Sequence, residues 1–185
     1  MGLTVLLGGA RSGKSDLAVR LARASGRPVV VVATATAGDA EMAERIARHR
    51  RERPAGWRTV EEPIDLGGAL ASAPQEACVI ADCLSLWIAN LLEAGWSPAR
   101  AEREAERVAR VAAARRAPTI AVSNEVGSGI VPASALARAY RDVLGRTNAS
   151  WAGAAERSAL VVAGRILPLG PPDPLIASLV PGGCA

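Results

Sequence analysis

The chain has 185 residues, of which 50% are hydrophobic and 22% are charged, and this composition is typical of one globular domain. Its net charge of +4 is compatible with an anionic ligand but does not distinguish a nucleotide from a nucleic acid or a membrane surface. No apolar run approaches the roughly 18 residues that a membrane-spanning helix needs. Because the amino-terminal stretch also lacks the basic segment of a secretory signal, we expect a cytoplasmic protein.

Short apolar runs alternate with longer segments of helical periodicity. We predict buried strands for the apolar runs 3–9, 28–34, 77–83, 118–124 and 159–164. We predict helices for the periodic segments 14–25, 39–53, 84–94, 98–116 and 133–157, the last of them broken near Gly145. This alternation predicts an α/β fold with a mostly parallel central sheet and helices on both faces.

The remaining segments are assigned by composition. Residues 57–63 could form a short edge strand. Prolines and glycines from Leu167 onward predict an irregular end, so we take residues 1–168 as the domain and residues 169–185 as a tail. The cysteines form no C-x-x-C pair, and we expect all of them to be reduced thiols, namely Cys78, Cys83 and Cys184.

The stretch GGARSGKS, residues 8–15, fits the phosphate-binding pattern G-x-x-x-x-G-K-[ST]. An apolar strand precedes it and a helical segment follows it, as this motif requires. Lys14 would reach the β- and γ-phosphates of a nucleotide, and Ser15 would ligate Mg²⁺. Lys14 is also the only lysine among 22 Lys and Arg residues, so we expect that an ammonium is needed there.

A second candidate ligand for the metal ends a later strand. Asp82 follows the apolar run CVIA, and a carboxylate at that position can hold Mg²⁺ through water. The alternative is that Asp82 only caps the helix that follows it.

The only histidine, His49, lies between arginines in a predicted helix that begins after Asp39. At about 100° per residue, one stripe of this helix faces the protein body and holds Met42, Ile46, His49 and Arg53. Arg48 and Arg51 point elsewhere. A neutral imidazole in that position could act as a nucleophile on a nucleotide's α-phosphate. The pattern alone favours a histidine that only packs.

Seven segments together resemble one enzyme family. They are GGARSGKS, VATA (32–35), DAEMAERIARHRRERPAGWRTVEEP (39–63), DCLSLWIANLL (82–92), SNEVGSGIVP (123–132), RAYRDVLGRTN (138–148) and LVVAG (160–164). In this order they are similar to the bifunctional adenosylcobinamide kinase / adenosylcobinamide-phosphate guanylyltransferases of cobalamin biosynthesis, over nearly the whole chain to about residue 168. The histidine segment and the NEVG-GIVP segment carry the resemblance, because a phosphate loop alone identifies only a superfamily.

The resemblance implies a RecA-like P-loop fold, a homotrimer and two reactions. The first reaction phosphorylates adenosylcobinamide with ATP or GTP. The second transfers GMP from GTP through a guanylylated histidine, His49 by position, and gives adenosylcobinamide-GDP and pyrophosphate.

The resemblance also implies a set of site residues. His49 and Lys14 would be catalytic, and Ser15 and Asp82 would hold Mg²⁺. Nucleotide contacts would fall on Gly8, Gly9, Ala10, Arg11, Ser12, Gly13, Lys14, Ser15, Ala33, Thr34, Ala35, Arg50, Arg51, Glu52, Arg53, Glu61 and Asp82. Asn124 and Glu125 could contact the corrinoid at the carboxyl edge of the sheet, although turn chemistry explains them equally well.

Two other functions are compatible with parts of this pattern. A small-molecule kinase without nucleotidyl transfer would need the phosphate loop and Asp82 but not His49. A RecA-like nucleic-acid-binding ATPase would account for the arginines. Aromatic residues make up only 3% of the chain, however, which leaves few platforms for base stacking, and we expect no nucleic-acid partner.

Overall fold

The computed structural model describes residues 2–173, so that Met1, residues 174–185 and with them Cys184 lie outside the described part. The strands are β1 (Leu3–Gly8), β2 (Val29–Ala33), β3 (Arg58–Glu61), β4 (Cys78–Asp82), β5 (Thr119–Asn124), β6 (Arg157–Val162) and β7 (Arg165–Leu169). The helices are α1 (Lys14–Ala24), α2 (Ala40–Glu52), α3 (Leu66–Ser72), α4 (Leu84–Glu93), α5 (Pro98–Ala113) and α6 (Ala135–Ala154).

The strands form one seven-stranded sheet in the order β3-β2-β4-β5-β1-β6-β7. Every pairing is parallel except that of β6 with β7, which is antiparallel. β5 lies between β1, which leads into the phosphate loop, and β4, which ends at Asp82. The predicted α/β fold with a mostly parallel central sheet is therefore confirmed.

Both faces of the sheet are covered, which is why its central strands are mostly apolar and do not alternate between apolar and polar residues. Along β1 the side chains alternate: Val5 and Leu7 belong to one buried cluster, and Leu6 belongs to the other. Ala18 and Ala22 of α1 pack on the Leu6 side. The larger cluster on the opposite face includes buried residues of α3, α4, α5 and α6. The carboxyl ends of the parallel strands therefore open onto a single edge, where the loops that follow them converge.

Two local predictions are confirmed. Asp39 caps α2, where its Oδ1 accepts a hydrogen bond of 2.7 Å from the Met42 N–H. The segment 57–63 contains β3, which is the edge strand beside β2.

None of the described helices is both long enough and apolar enough to cross a bilayer.

The predicted break near Gly145 is wrong. α6 runs without interruption through this position. A glycine inside a helix costs about 1 kcal/mol relative to alanine. Its neighbours Val143, Leu144 and Thr147 are buried against the rest of the protein, and this tertiary packing outweighs the local preference.

The end of the domain also differs from the prediction, which made the chain irregular from Leu167. β7 continues to Leu169 and pairs with β6 through a tight turn. In that turn Ala163 and Gly164 have φ values of 49° and 71°. Pro168 is tolerated because β7 is the outermost strand of the sheet, with one edge facing away from the ladder.

Sequence analysis missed the short helix α3. Asp65 begins it, and its Oδ1 accepts a hydrogen bond of 2.9 Å from the Gly68 N–H. With 7 residues, two of them glycines, α3 is too short to show helical periodicity.

Candidate active site

The phosphate loop joins β1 to α1 at the carboxyl edge of the sheet. Gly8 and Gly13 have φ values of 151° and 96°, which side chains rarely permit. A Cβ atom on Gly8 would also lie 2.3 Å from the carbonyl oxygen of Val161. Gly13 is the N-cap of α1, so the positive end of that helix points into the loop. The backbone thus requires both glycines of the motif.

Lys14 lies across the inside of this loop and is only 6% exposed. Its Nζ donates hydrogen bonds to Gly8 O at 2.9 Å, Gly9 O at 2.6 Å and Ser12 Oγ at 3.3 Å. A compact ammonium with three donors suits these contacts, whereas a planar guanidinium would not fit the same space. The positive charge is therefore held at the centre of the loop, where phosphate oxygens would bind.

The turn between β6 and β7 supports the loop from outside. The N–H of Gly164 donates a hydrogen bond of 2.9 Å to the carbonyl oxygen of Ser12. A Cβ atom on Gly13 would approach the Cα of Gly164 to 3.4 Å. The hairpin that sequence analysis missed is thus part of the frame of the phosphate loop.

A cleft of about 580 Å³ opens beside the phosphate loop. This volume lies within the range of small-molecule sites, about 300–1,000 Å³. The sequence-predicted residues that line it are Ala10, Arg11, Ser12, Gly13, Lys14, Ser15, Ala33, Ala35, His49, Arg50, Glu52, Arg53, Glu61 and Asp82. The structure brings these residues together from the phosphate loop, the ends of β2, β3 and β4, and helix α2.

Four predicted nucleotide contacts do not line the cleft. Gly8 and Gly9 face Lys14 through their carbonyl groups. Arg51 is exposed on α2 and lies outside the cleft. Thr34 is fully buried, and its hydroxyl is engaged by the backbone of Cys83.

The two predicted metal ligands, Ser15 and Asp82, line the same cleft. A hydroxyl and a carboxylate are oxygen donors of the kind that Mg²⁺ prefers together with phosphate oxygens. Arg53 lines the same cleft. Burial lowers the pKa of its guanidinium, and the charge of the Asp82 carboxylate offsets part of that lowering. The Arg53 guanidinium also donates a hydrogen bond of 3.0 Å to Thr59 Oγ1. The residues present therefore fit a magnesium–phosphate group.

His49 is half-buried on α2 and lines the cleft opposite the phosphate loop. The inward orientation predicted for it is what the structure shows. Next to it, Arg50 forms an ion pair with Glu61 of β3, and both side chains are more than half exposed. The prediction that Arg48 points elsewhere is wrong in one respect: the residue is exposed, but it also lines the cleft.

Cys83 is another potential nucleophile that lines the cleft. Burial and, secondarily, the Asp82 carboxylate raise the pKa of the Cys83 thiol. Its Sγ lies 3.0 Å from Ser85 Oγ. A thiol held in the neutral form is a poor nucleophile, so His49 is the better candidate for covalent chemistry.

Sequence analysis missed several lining residues. They are Asp16, Glu41, Met42, Glu44, Ile46, Arg48, Cys83, Leu86 and Val122. Helical periodicity placed Met42 and Ile46 on the same inward stripe as His49, but it does not say that a cleft lies opposite that stripe. Asn124, which ends β5, lines the cleft as its strand-end position suggested. Glu125 lies outside the cleft, and its carboxylate accepts a hydrogen bond from the Gly127 N–H.

Comparison with known proteins identifies the family. The model of the family described as cobinamide kinase / cobinamide phosphate guanyltransferase matches residues 4–169. A bifunctional adenosylcobalamin biosynthesis protein, CobP, of Pseudomonas aeruginosa is 46% identical over 89% of this chain and 95% of its own length. The bifunctional adenosylcobalamin biosynthesis protein CobU of Escherichia coli is 39% identical over 88% and 96%.

Among solved structures, the flagellar accessory protein FlaH of Methanocaldococcus jannaschii is 15% identical, with a TM-score of 0.48 over 89% of this chain and 74% of its own. The RadB recombinase is 15% identical, with a TM-score of 0.41 over 86% and 73%. The family match spans the phosphate loop, the His49 segment and the strand that ends at Asn124. The chain therefore belongs to the cobinamide kinase / cobinamide phosphate guanyltransferase family.

Proposed function

We propose that one cleft of this protein performs two reactions, phosphorylation of adenosylcobinamide by ATP or GTP and then transfer of GMP from GTP to the phosphorylated product. The observation that carries the proposal is that His49, the only histidine of the chain, lines the same cleft as the phosphate loop. A kinase alone has no need of a nucleophilic side chain there. A bifunctional enzyme needs such a side chain to carry the GMP group between the two substrates.

In the kinase step the chain acts by holding the nucleotide in place. The loop from Gly8 to Gly13 presents backbone N–H groups to the phosphates, and Lys14 adds its ammonium at the β- and γ-phosphates. The hydroxyl oxygen of adenosylcobinamide then attacks the γ-phosphorus and its proton passes to solvent. The bond from the γ-phosphorus to the bridging β-phosphate oxygen breaks, and ADP or GDP leaves. This transfer depends mostly on alignment and charge, both of which the rigid loop supplies.

Ser15 and Asp82 would hold Mg²⁺ at the edge of the loop. When bound there, the cation would neutralise charge on the phosphate oxygens. Arg53, which lies near Asp82, adds a second positive charge on the α2 side of the cleft.

In the guanylyl step an imidazole nitrogen of His49 attacks the α-phosphorus of GTP, and the bond to the β-phosphate oxygen breaks with release of pyrophosphate. A phosphate oxygen of adenosylcobinamide phosphate then attacks the same phosphorus, and the imidazole leaves to give adenosylcobinamide-GDP. Arg48 and Arg50, which line the cleft on either side of His49, would balance the charge of the triphosphate.

The test uses two labels in GTP. Wild-type protein is incubated with Mg²⁺ and either α-labelled or γ-labelled GTP, and is then denatured and separated from free nucleotide. We expect retained α-label and no retained γ-label. A kinase without nucleotidyl transfer would retain neither, and that outcome refutes the second reaction.

Homotrimer formation and a cytoplasmic location are part of the same proposal. Large apolar side chains are exposed after β5, among them Ile130 at 97% and Leu136 at 67%. Exposed apolar side chains of this kind support association between copies. Light scattering at several concentrations should give three chains per particle, and a monomer would refute the trimer.

A further inference from the structure

Asn124 occupies the central position at the carboxyl edge of the sheet. It is the last residue of β5, and it pairs in register with Gly8, the first residue of the phosphate loop. On the other side of β5, the neighbouring strand β4 ends at Asp82. Asn124 thus lies between the loop that would hold the phosphates and the carboxylate that would hold Mg²⁺.

The backbone of Asn124 is held on both sides. Its N–H donates to Ser85 Oγ at 3.4 Å, and its carbonyl oxygen accepts from Asn148 Nδ2 at 3.0 Å. Asn148 is itself buried and accepts a second hydrogen bond of 2.6 Å from Ser123 Oγ. The next N–H, that of Glu125, donates to Gly8 O at 3.0 Å. These hydrogen bonds fix the position of the Asn124 backbone and therefore of its Cβ atom.

The side chain of Asn124 differs from its backbone in its hydrogen bonding. It lines the cleft, and within residues 2–173 its amide makes no hydrogen bond to another protein group. A carboxamide brings two N–H donors and one acceptor oxygen. Its position is therefore fixed by the backbone, while its donors are left for a ligand in the cleft.

We propose that the Asn124 amide donates a hydrogen bond to the γ-phosphate of the bound nucleoside triphosphate and so lets the site distinguish a triphosphate from a diphosphate. In phosphate-loop enzymes the loop lysine and the cation both reach the γ-phosphate. Lys14 already bonds Gly8 O, the strand partner of Asn124, so the amide and the ammonium flank the same space. An uncharged N–H donor at this position adds a directional hydrogen bond to the γ-phosphate without adding another positive charge.

This inference rests on nucleotide binding at the phosphate loop and adds the terminal-phosphate contact to it. A nucleoside diphosphate ends at the β-phosphate, which the loop backbone holds without Asn124. Loss of the amide should therefore weaken triphosphate binding and leave diphosphate binding unchanged. A hydrogen bond to a charged group corresponds to about a ten-fold or greater change in affinity.

The experiment measures dissociation constants for GDP and for the β,γ-imido analogue of GTP, both with Mg²⁺, in the wild type and in Asn124→Ala and Asn124→Asp. Asn124→Asp keeps the size of the side chain but replaces its donors with a negative charge. Glu125→Gln is the matched control, because Glu125 is the next residue and lies outside the cleft. Partial unfolding of a variant weakens the apparent binding of both nucleotides by the same factor, so the ratio of the two dissociation constants still gives a result.

We expect Asn124→Ala to bind the imido analogue about ten-fold more weakly, with its GDP affinity within about two-fold of the wild type. Asn124→Asp should lose more affinity for the imido analogue, because its carboxylate repels the γ-phosphate. Glu125→Gln should bind both nucleotides as the wild type does. The inference is overturned if Asn124→Ala weakens both nucleotides equally, or neither, since the amide would then serve the fold or the corrinoid. Wild-type protein that binds neither nucleotide would overturn the proposed function as well.

Discussion

The hydroxyl of Thr34 engages both backbone groups of Cys83. Its Oγ1 donates a hydrogen bond of 2.7 Å to the Cys83 carbonyl oxygen and accepts one of 2.9 Å from the Cys83 N–H. Thr34 in turn accepts a hydrogen bond of 2.7 Å at its own carbonyl oxygen from Asn90 Nδ2. Because Cys83 directly follows Asp82, the buried Thr34 hydroxyl fixes the backbone next to this candidate metal ligand. The resemblance implied a nucleotide contact for Thr34, and the structure shows that its hydroxyl supports the chain beside Asp82.

Replacement of Thr34 by valine should separate this role from simple packing. Valine keeps the shape of threonine but leaves two buried backbone groups of Cys83 without their partner, so we expect the free energy of unfolding to fall by about 1–3 kcal/mol. Displacement of Asp82 should also raise the Mg²⁺ concentration needed for half-maximal kinase activity. Chemical denaturation and a magnesium titration measure the two effects.

Thr34→Ser is the control for that experiment, because it keeps the hydroxyl and removes only a methyl group. It should retain a magnesium requirement close to that of the wild type. Equal magnesium requirements in Thr34→Val and the wild type would show that this hydroxyl does not position Asp82.

Lys14 should tolerate no replacement. Lys14→Ala removes the ammonium from the centre of the loop, so we expect loss of kinase activity and at least a severe loss of guanylylation, since phosphate placement serves both reactions. Lys14→Arg should fail as well, because the three acceptors around Nζ leave no room for a planar group. Initial-rate assays measure both variants. Kinase activity near the wild-type value in Lys14→Arg would contradict this account of the loop.

The only tyrosine, Tyr140, should ionise late. Burial, and to a smaller extent the charge of a Cys83 thiolate, raises its pKa from 10.0 to about 12, and its hydroxyl donates a hydrogen bond of 3.2 Å to Ser85 O. Because the folded-state pKa lies above the unfolded one, the stabilisation from the neutral phenol is fully present below about pH 10 and is lost as the pH rises through about 12.

Tyrosinate absorbance tests this directly, because Tyr140 is the single contributor. We expect little tyrosinate in native protein at a pH of about 10.5, and about three-quarters ionisation in urea at the same pH. Equal ionisation in the two solvents would mean that the phenol is exposed to water.

Arg115 should be one of the most sensitive positions outside the cleft. Its guanidinium is only 6% exposed and donates hydrogen bonds to four backbone carbonyls, those of Leu70, Ala73, Pro74 and Ala77. Arg115→Met would leave these carbonyls without donors, and we expect the free energy of unfolding to fall by about 3 kcal/mol or more.

The neighbouring Arg116 is the matched control for Arg115, because it is exposed. Arg116→Met should change the free energy of unfolding by less than about 0.5 kcal/mol. Urea denaturation of the two variants in parallel measures the difference. Similar values for both would show that the buried guanidinium contributes nothing specific.

Much of this fold could be predicted because its determinants are local. Strands covered on both faces are apolar throughout, the Asp39 cap has a side chain next to the backbone it binds, and the phosphate loop is a contiguous motif. The features that could not be predicted depend on residues that are distant in the chain. Gly145 stays helical because of tertiary packing, and β7 pairs with β6 although it contains Pro168 and is followed by turn-forming residues.

The candidate site divides in the same way. His49 could be placed on the inward stripe of α2 by periodicity, but nothing in the sequence pattern showed that the phosphate loop lies opposite. The support that Gly164 gives to Ser12 joins residues that are distant in the chain, and no motif records it. Thr34 was assigned to the ligand by resemblance, since a buried hydroxyl bonded to a neighbouring strand cannot be recognised without the sheet.

The central claim is that His49 carries GMP, and His49→Ala tests it most directly. Both activities are measured on one folded preparation, namely retention of label from α-labelled GTP after denaturation and phosphorylation of adenosylcobinamide. We predict loss of the covalent label with measurable kinase activity, because γ-phosphoryl transfer needs Lys14 and alignment but no protein nucleophile. In the wild type the adduct should be acid-labile and stable to mild base, as a phosphoramidate is. If His49→Ala still takes up α-label, or loses stability by about 1–3 kcal/mol with both activities declining together, the histidine is structural and the intermediate lies elsewhere.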